Sequence, residues 1–447
     1  MGALCSESDR PLLFQQVKGY PGWRVCDILA KTRATQAVAL NTTPGNVLDE
    51  LARRLEQGPR PWKVVADGPV REIMWLGDDA DLLRLPIATH TEGDSGPYIG
   101  GGMAVTKDPE TGVQNVAFLR VQCTNGRRVA FSMAPRHNYE HYRRYQAQGE
   151  PMPMAMVIGH HPAYEIAANY SGRYGVDEFE LAGSLLGDTV EMVKCETVDL
   201  HVPAHAEIVI EGFVPPKVRE DEGPFGEFQG YKSDGVRPKE VWEITAVTMR
   251  RGAIYRHLQS TIATDHQRLV ALPMEAGLFQ RVRDVGGRID LHNVFVPPWA
   301  GNFTVILQLT AQFDGQVRDA LMAALSSSYL HPKVAIAVDQ DVDLFNAQEV
   351  LWAVSTRVNP ANDIFTIDRT NGHRLDLSLP VVESPGLPFR RLGSKTGIDA
   401  TKPSLYRPEK RAEFDRARPM GTGKVKLADF VSKDPAGDLA AVLKATG

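Results

Sequence analysis

The chain has 447 residues, 43% of them hydrophobic, and a net charge of −5 from 50 basic and 55 acidic side chains. That length exceeds what one hydrophobic core usually fills, so two or three domains are expected and no disulfide or zinc staple is needed. The two signs of charge are interspersed without a long Lys/Arg block, which excludes a nucleic-acid or anionic-membrane footprint. The longest apolar runs fall far short of the roughly 20 residues a membrane helix needs.

The opening segment, 1–10, is polar and slightly acidic and shows no basic head followed by an apolar stretch, so a cytoplasmic enzyme is expected. Cys5, Cys26, Cys123 and Cys195 lie far apart with no C-x-x-C pair and read as ordinary thiols in a reducing compartment.

In chain order, residues 1–100 read as an α/β segment, with a helix over 43–57 capped by Thr42 or Thr43 and a short strand over 62–66. Residues 101–262 switch to many short strands, among them 115–122, 128–132, 206–214 and 240–249, with a break at Arg250-Arg251-Gly252 that predicts a hairpin. Such a run of strands suggests a barrel-like sheet. A linker helix, over 265–283, occupies the stretch 263–288. Residues 289–415 then alternate strands (303–309, 334–338) with helices (315–326, 347–357), the pattern of a separate α/β domain. The tail, 416–447, ends in an amphipathic helix over 436–444 suited to docking on another subunit. The fold class is therefore α+β.

Glu222-Gly-Pro-Phe-Gly-Glu227 is too rich in Gly and Pro to be helical, so it is a tight loop holding two carboxylates close together. Close, buried carboxylates raise each other's proton affinity, which suits one of them to general acid work. The spacing by itself favours the other reading, a solvated turn following the charged stretch 217–221. Alternation along 115–122 puts Asn115 and Arg120 on opposite faces unless a bulge intervenes; an arginine beside two carboxylates would clamp a substrate carboxylate. His137 and Glu191 offer a nitrogen and an oxygen ligand that, with Asn115, suit a divalent ion such as magnesium or manganese. Asp339-Gln-Asp-Val-Asp343 lacks the glycine and closing Glu of a calcium loop and reads as a strand end and helix cap. No G-x-G-x-x-G follows a strand, so a nicotinamide dehydrogenase has no support.

Five segments, 115–120, 134–138, 191–197, 222–231 and 393–401, occur in the order found in the UbiD family of decarboxylases, and over nearly its whole length the chain resembles that family. The resemblance implies a flavin-binding split β-barrel-like domain, a linker helix and a C-terminal α/β domain. It implies prenylated FMN as cofactor, supplied by a flavin prenyltransferase, with Mn or Mg bound by Asn115, His137 and Glu191 and with K+ nearby. Ala117, Phe118, Leu119, Arg120, Arg136, Ala168 and Tyr170 would also line the cofactor. Arg120, Glu222 and Glu227 match a Glu-Arg-Glu network in which Glu227 donates a proton while Arg120 and Glu222 position an aromatic, heteroaromatic or α,β-unsaturated acid that releases carbon dioxide. Phe228, His292 and His331 are candidates for the substrate pocket, where a basic residue would suit a heteroaromatic acid or a diacid. Family members form homodimers or higher homo-oligomers. The competing readings are a polyprenyl-hydroxybenzoate decarboxylase of quinone biosynthesis and a non-catalytic flavin-binding protein.

Overall fold

The structure is a computed structural model and describes residues 1–233, 235–262, 264–285, 289–383 and 390–425. Local sequence accounts for the first helices. Thr32 and Thr35 close a capping box at the start of helix Arg33–Ala39, satisfying amides the helix leaves orphaned. The span read as one helix over 43–57 divides at Pro44, which opens a short 3-10 turn, Pro44–Asn46, ahead of helix Val47–Glu56. In that helix Val47, Leu48, Leu51 and Ala52 are buried, with Asp49 and Glu50 in the first turn and Arg53 and Arg54 in the last, the charge order its dipole favours.

The central sheet has ten strands, and its chain order explains its curl. Gln114–Phe118 lies at one end of the hydrogen-bonded path, beside Gly102–Lys107, while Arg120–Gln122 lies near the other end, between Tyr98–Ile99 and Arg128–Ser132. Only Leu119 separates the two, so the sheet must bend until its ends nearly meet there. The single strand expected over 115–122 is thus two, and the break resets the alternation between Asn115 and Arg120. The curled sheet is filled by Val121, Phe131, Met154, Ile210 and Trp242.

No hairpin follows Arg250-Arg251-Gly252. Ile254–Arg256 instead runs parallel to Arg24–Asp27 in a separate three-stranded sheet. Arg256 supplies the reason: its guanidinium is fully buried and meets Glu165 at 2.8 Å, Asp27 at 2.9 Å and Asp265. A hairpin would separate it from carboxylates on three other segments and leave a buried charge unpaired, at several kcal/mol.

Helix Asp265–Arg283 forms as read, but it is no spacer. Thirteen of its nineteen residues are buried, and one continuous apolar cluster runs from Leu51 and Met103 through Leu272 to Val305, Leu307 and Ala337. Truncating Leu272 would cost about 2–5 kcal/mol in such surroundings. Beyond it lies a six-stranded sheet in which Thr304–Thr310, Val334–Val338 and Arg390–Ala400 run parallel and Asp290–Phe295 and Ile364–Gly372 antiparallel. Asp339 and Asp341 follow Val334–Val338 and are held by Arg411 and by Arg357 and Lys402; the helix cap is Asn346 rather than an aspartate of that run. The four cysteines are free, and burial raises Cys5 and Cys123 to about 12 and Cys26 to about 11. Among the described residues no helix is long and apolar enough to cross a membrane. The helix expected over 436–444 lies outside the described residues.

Candidate active site

A cavity of about 990 Å³ opens between the curled sheet, the long helix and the second sheet, with residues from all three in its wall. Asn115, Ala117, Phe118, Leu119, Arg136, His137, Ala168, Tyr170 and His331 line it. Three groups of side chains in and around it differ in chemistry.

The first is the loop at 222–227. Arg219–Glu222 pairs with the long strand Arg237–Met249, and Phe225–Gly226 pairs with Lys232–Ser233. Gly223 sits at φ +99°, open to glycine but strained for other residues. Its amide donates to Gln122 Oε1 at 3.0 Å, which carries the loop back across the strand bearing Arg120. The result is a buried carboxylate pair with a guanidinium between: Arg120 Nε and Nη2 donate to the two oxygens of Glu222 at 2.8 and 3.0 Å, and Nη1 donates to Glu227. The side chains of Glu222, Glu227 and Arg120 are 1%, 8% and 10% exposed, so the solvated-turn reading does not hold. Burial works against the Arg120 charge, but Glu227 and Glu222 more than offset it and hold the guanidinium firmly protonated. Phe225 lies 5.1 Å from the guanidinium carbon, a favourable cation–π approach. The three charged residues do not themselves line the cavity; Leu119, next to Arg120, does.

The second group is polar. Asn115 Oδ1 lies 2.9 Å from His137 Nδ1, and His137 opens helix His137–Gln148, so the free amides of a helix start face the same region. That arrangement suits a phosphate. Glu178, the first residue of helix Glu178–Leu186 behind its cap Asp177, also lines the cavity. Its Oε2 accepts the Val116 amide at 2.6 Å, and burial pushes its carboxyl up to about 8. Burial keeps His137 neutral, the form that ligates. Asn138 Nδ2 is buried without a partner among the described residues. An amide oxygen, an imidazole and a carboxylate around a helix start fit a divalent ion carrying a phosphate.

Glu191 is not in this group. It lies on strand Glu191–Lys194, where Lys63 Nζ and His205 Nε2 each approach it at 2.9 Å, and its side chain is 37% exposed. Two cations outside the cavity hold it there, and the carboxylate that shares the cavity wall with Asn115 and His137 is Glu178.

The third group is aromatic. Phe228, buried next to Glu227, packs on His266 at 5.7 Å, His331 at 5.8 Å and His373 at 6.0 Å between ring centres. All three imidazoles line the cavity. His292 is elsewhere: its Nε2 bonds Thr310 Oγ1 at 2.9 Å on the second sheet, and it is absent from the cavity wall. Sequence reasoning missed Glu178, His266 and His373. A cap aspartate before Glu178 marked a helix start, but nothing in the local pattern pointed it at Asn115.

Comparison with known proteins settles the family. Residues 63–262 match the UbiD 3-octaprenyl-4-hydroxybenzoate carboxy-lyase Rift-related domain, and residues 267–400 match the C-terminal domain of the same family. The chain belongs to the UbiD family. Among relatives of this UbiD-family protein, the anhydromevalonate phosphate decarboxylase of Methanothermobacter thermautotrophicus is 31% identical over 390 residues, 84% of each chain. Among solved structures, the UbiD-class enzyme HmfF from Pelotomaculum thermopropionicum, in complex with FMN, is 37% identical with a TM-score of 0.85 over 96% of this chain and 93% of that one. An evolved dimeric form of HmfF, in complex with prFMN, is 35% identical with a TM-score of 0.84 over the same shares. The chain is thus a carboxy-lyase with the mixed α/β, curled-sheet architecture of UbiD-class enzymes.

Proposed function

We propose that this UbiD-family protein uses prenylated FMN to decarboxylate, reversibly and without net oxidation, a planar unsaturated or aromatic carboxylic acid. The observation that carries the reading is the buried Glu222–Arg120–Glu227 array one residue from a cavity whose opposite polar group suits a metal-bound phosphate. The balance is simple: the bond to the carboxylate carbon breaks, carbon dioxide leaves, and one proton replaces it. When bound, the cofactor supplies the electron sink for the carbon that loses carbon dioxide.

The chain's own residues supply the rest. Asn115, His137 and Glu178 would hold the divalent ion, manganese or magnesium, and the helix beginning at His137 would receive the phosphate. Arg120 orients the substrate carboxylate. Glu222, gripping Arg120 through two parallel hydrogen bonds, fixes the guanidinium plane. Glu227 delivers the proton from its carboxyl oxygen to the carbon that carboxylate leaves. Leu119 and Phe228 keep water from the reacting bond. Conversion of Glu227 to Gln removes the transferable proton while keeping shape. In protein co-produced with a flavin prenyltransferase, E227Q should lower kcat by about 10²–10⁴ with cofactor content unchanged; wild-type turnover by this variant would refute the assignment.

A further inference from the structure

The loop that carries the two carboxylates is gripped from outside the cavity. Residues 91–98, Thr-Glu-Gly-Asp-Ser-Gly-Pro-Tyr, run alongside it. The Ser95 amide donates to the Pro224 carbonyl at 3.1 Å, and the Gly226 amide donates to Asp94 Oδ1 at 2.8 Å. Asp94, half-buried, is itself fixed: the Thr91 hydroxyl donates to Oδ1 at 2.5 Å and the Thr91 amide to Oδ2 at 2.8 Å. The two segments approach so closely that a Cβ on Gly226 would lie 2.7 Å from Thr91 Oγ1, so any side chain at 226 would displace Thr91. Between these grips Phe225 packs on Tyr98 and His90, with ring centres 4.5 and 5.6 Å apart.

Glu227 follows Gly226 directly. Its own backbone bonds are local: its amide donates to the Tyr231 carbonyl at 3.0 Å, and its carbonyl accepts the Gly230 amide at 2.9 Å. Beyond it, Gln267 Nε2 donates to the Phe228 carbonyl at 2.8 Å. The residue is thus suspended between a tether at Asp94 and a tether at Gln267. The Asp94 bond is the stronger kind, because its acceptor is a carboxylate. Thr91, Asp94 and Ser95 are absent from the cavity wall, so they reach the chemistry only through the loop.

We propose that Asp94 is a positioning residue for proton delivery: by holding the Gly226 amide, it sets where the Glu227 carboxyl meets the reacting carbon. This rests on the reading of Glu227 as proton donor. A misplacement on the order of 1 Å at a reacting group can cost roughly 10²-fold in rate.

Two measurements on protein co-produced with a flavin prenyltransferase test it. Phe225–Gly226 is the one Phe–Gly step in the sequence, so carbonyl-labelled Phe with amide-labelled Gly gives one NMR signal, that of the Gly226 amide. Asp94→Ala should move this signal upfield and speed its hydrogen exchange at least about tenfold, because a charge-assisted bond is lost. Asp94→Asn, which keeps an oxygen acceptor, should restore part of both. Turnover is read with the first of furan, pyrrole and indole carboxylate that wild type accepts. Asp94→Ala should lower kcat by about 10–100-fold with KM within about twofold and flavin content unchanged, and Asp94→Asn should recover part. On a Glu227→Gln background Asp94→Ala should cost less than about twofold more, because the group it positions is gone. An unmoved Gly226 signal, equal losses of kcat on both backgrounds, or a raised KM with lost flavin would overturn the inference and leave Glu227 as the donor. Wild-type turnover by Glu227→Gln would sink the parent reading and the inference with it. If wild type turns over none of the three acids, the Gly226 signal decides: an amide unmoved by Asp94→Ala overturns the inference.

Discussion

Two arginines beside one cavity differ in what meets them. Arg120 is locked between Glu222 and Glu227, and its burial cost is met inside the chain. Arg136 has Ser171 as its hydrogen-bond partner and no carboxylate among the described residues. The difference separates a buried charge, which the fold itself must satisfy, from an exposed one at the cavity wall, which solvent can satisfy.

The largest expected effect breaks this comparison most directly. Arg120→Leu leaves Glu222, 1% exposed, without its cation, and should destabilise the protein by about 3–5 kcal/mol as well as abolish turnover. Arg136→Leu should shift stability by no more than about 0.5 kcal/mol. Denaturant midpoints for the two variants decide it, and equal losses would show that Arg136 is also structural.

A sharper contrast lies between two acids. Glu178→Gln removes the carboxylate that shares the cavity wall with Asn115 and His137 and should lower bound divalent metal and retained flavin at least about tenfold. Glu191→Gln should leave both at wild-type levels, because its partners Lys63 and His205 lie outside the cavity. Metal analysis and flavin absorbance on purified protein measure both.

The smallest effect concerns pH. Burial lowers His90 and His331 to about 3 and His257 and His266 to about 4. These groups take up protons in the unfolded chain before they do so in the folded one. Stability is therefore complete above the ordinary histidine value of about 6.5 and falls as pH drops from there toward 4. Melting temperatures at pH 7.5, 6 and 5 should decline in that order. A flat profile down to pH 5 would mean that these imidazoles are not buried as the structure has them.

Much of the fold was legible locally. Helix 265–283, strand 334–338 and helix 347–357 follow from apolar spacing and end signals, and the structure reproduces their bounds. Less legible was the break at Leu119, because a strand that serves both ends of a curled sheet looks like one strand in sequence. The path of Ile254–Arg256 was hidden for a related reason: Arg250-Arg251-Gly252 is sound turn chemistry, but the need of buried Arg256 for Asp27, Glu165 and Asp265 overrides it.

What the sequence determined by itself was the set of elements, the family, and the loop whose glycines and proline bring Glu222 and Glu227 together. Those depend on neighbours a few residues apart, where backbone freedom and side-chain period act. Only the tertiary structure decided that Glu178 rather than Glu191 joins Asn115 and His137, that His292 stays on its sheet, and that His373 stacks on His331 against Phe228. Those choices depend on which distant segments pack face to face, and periodicity tells which side of an element is buried but not what it is buried against.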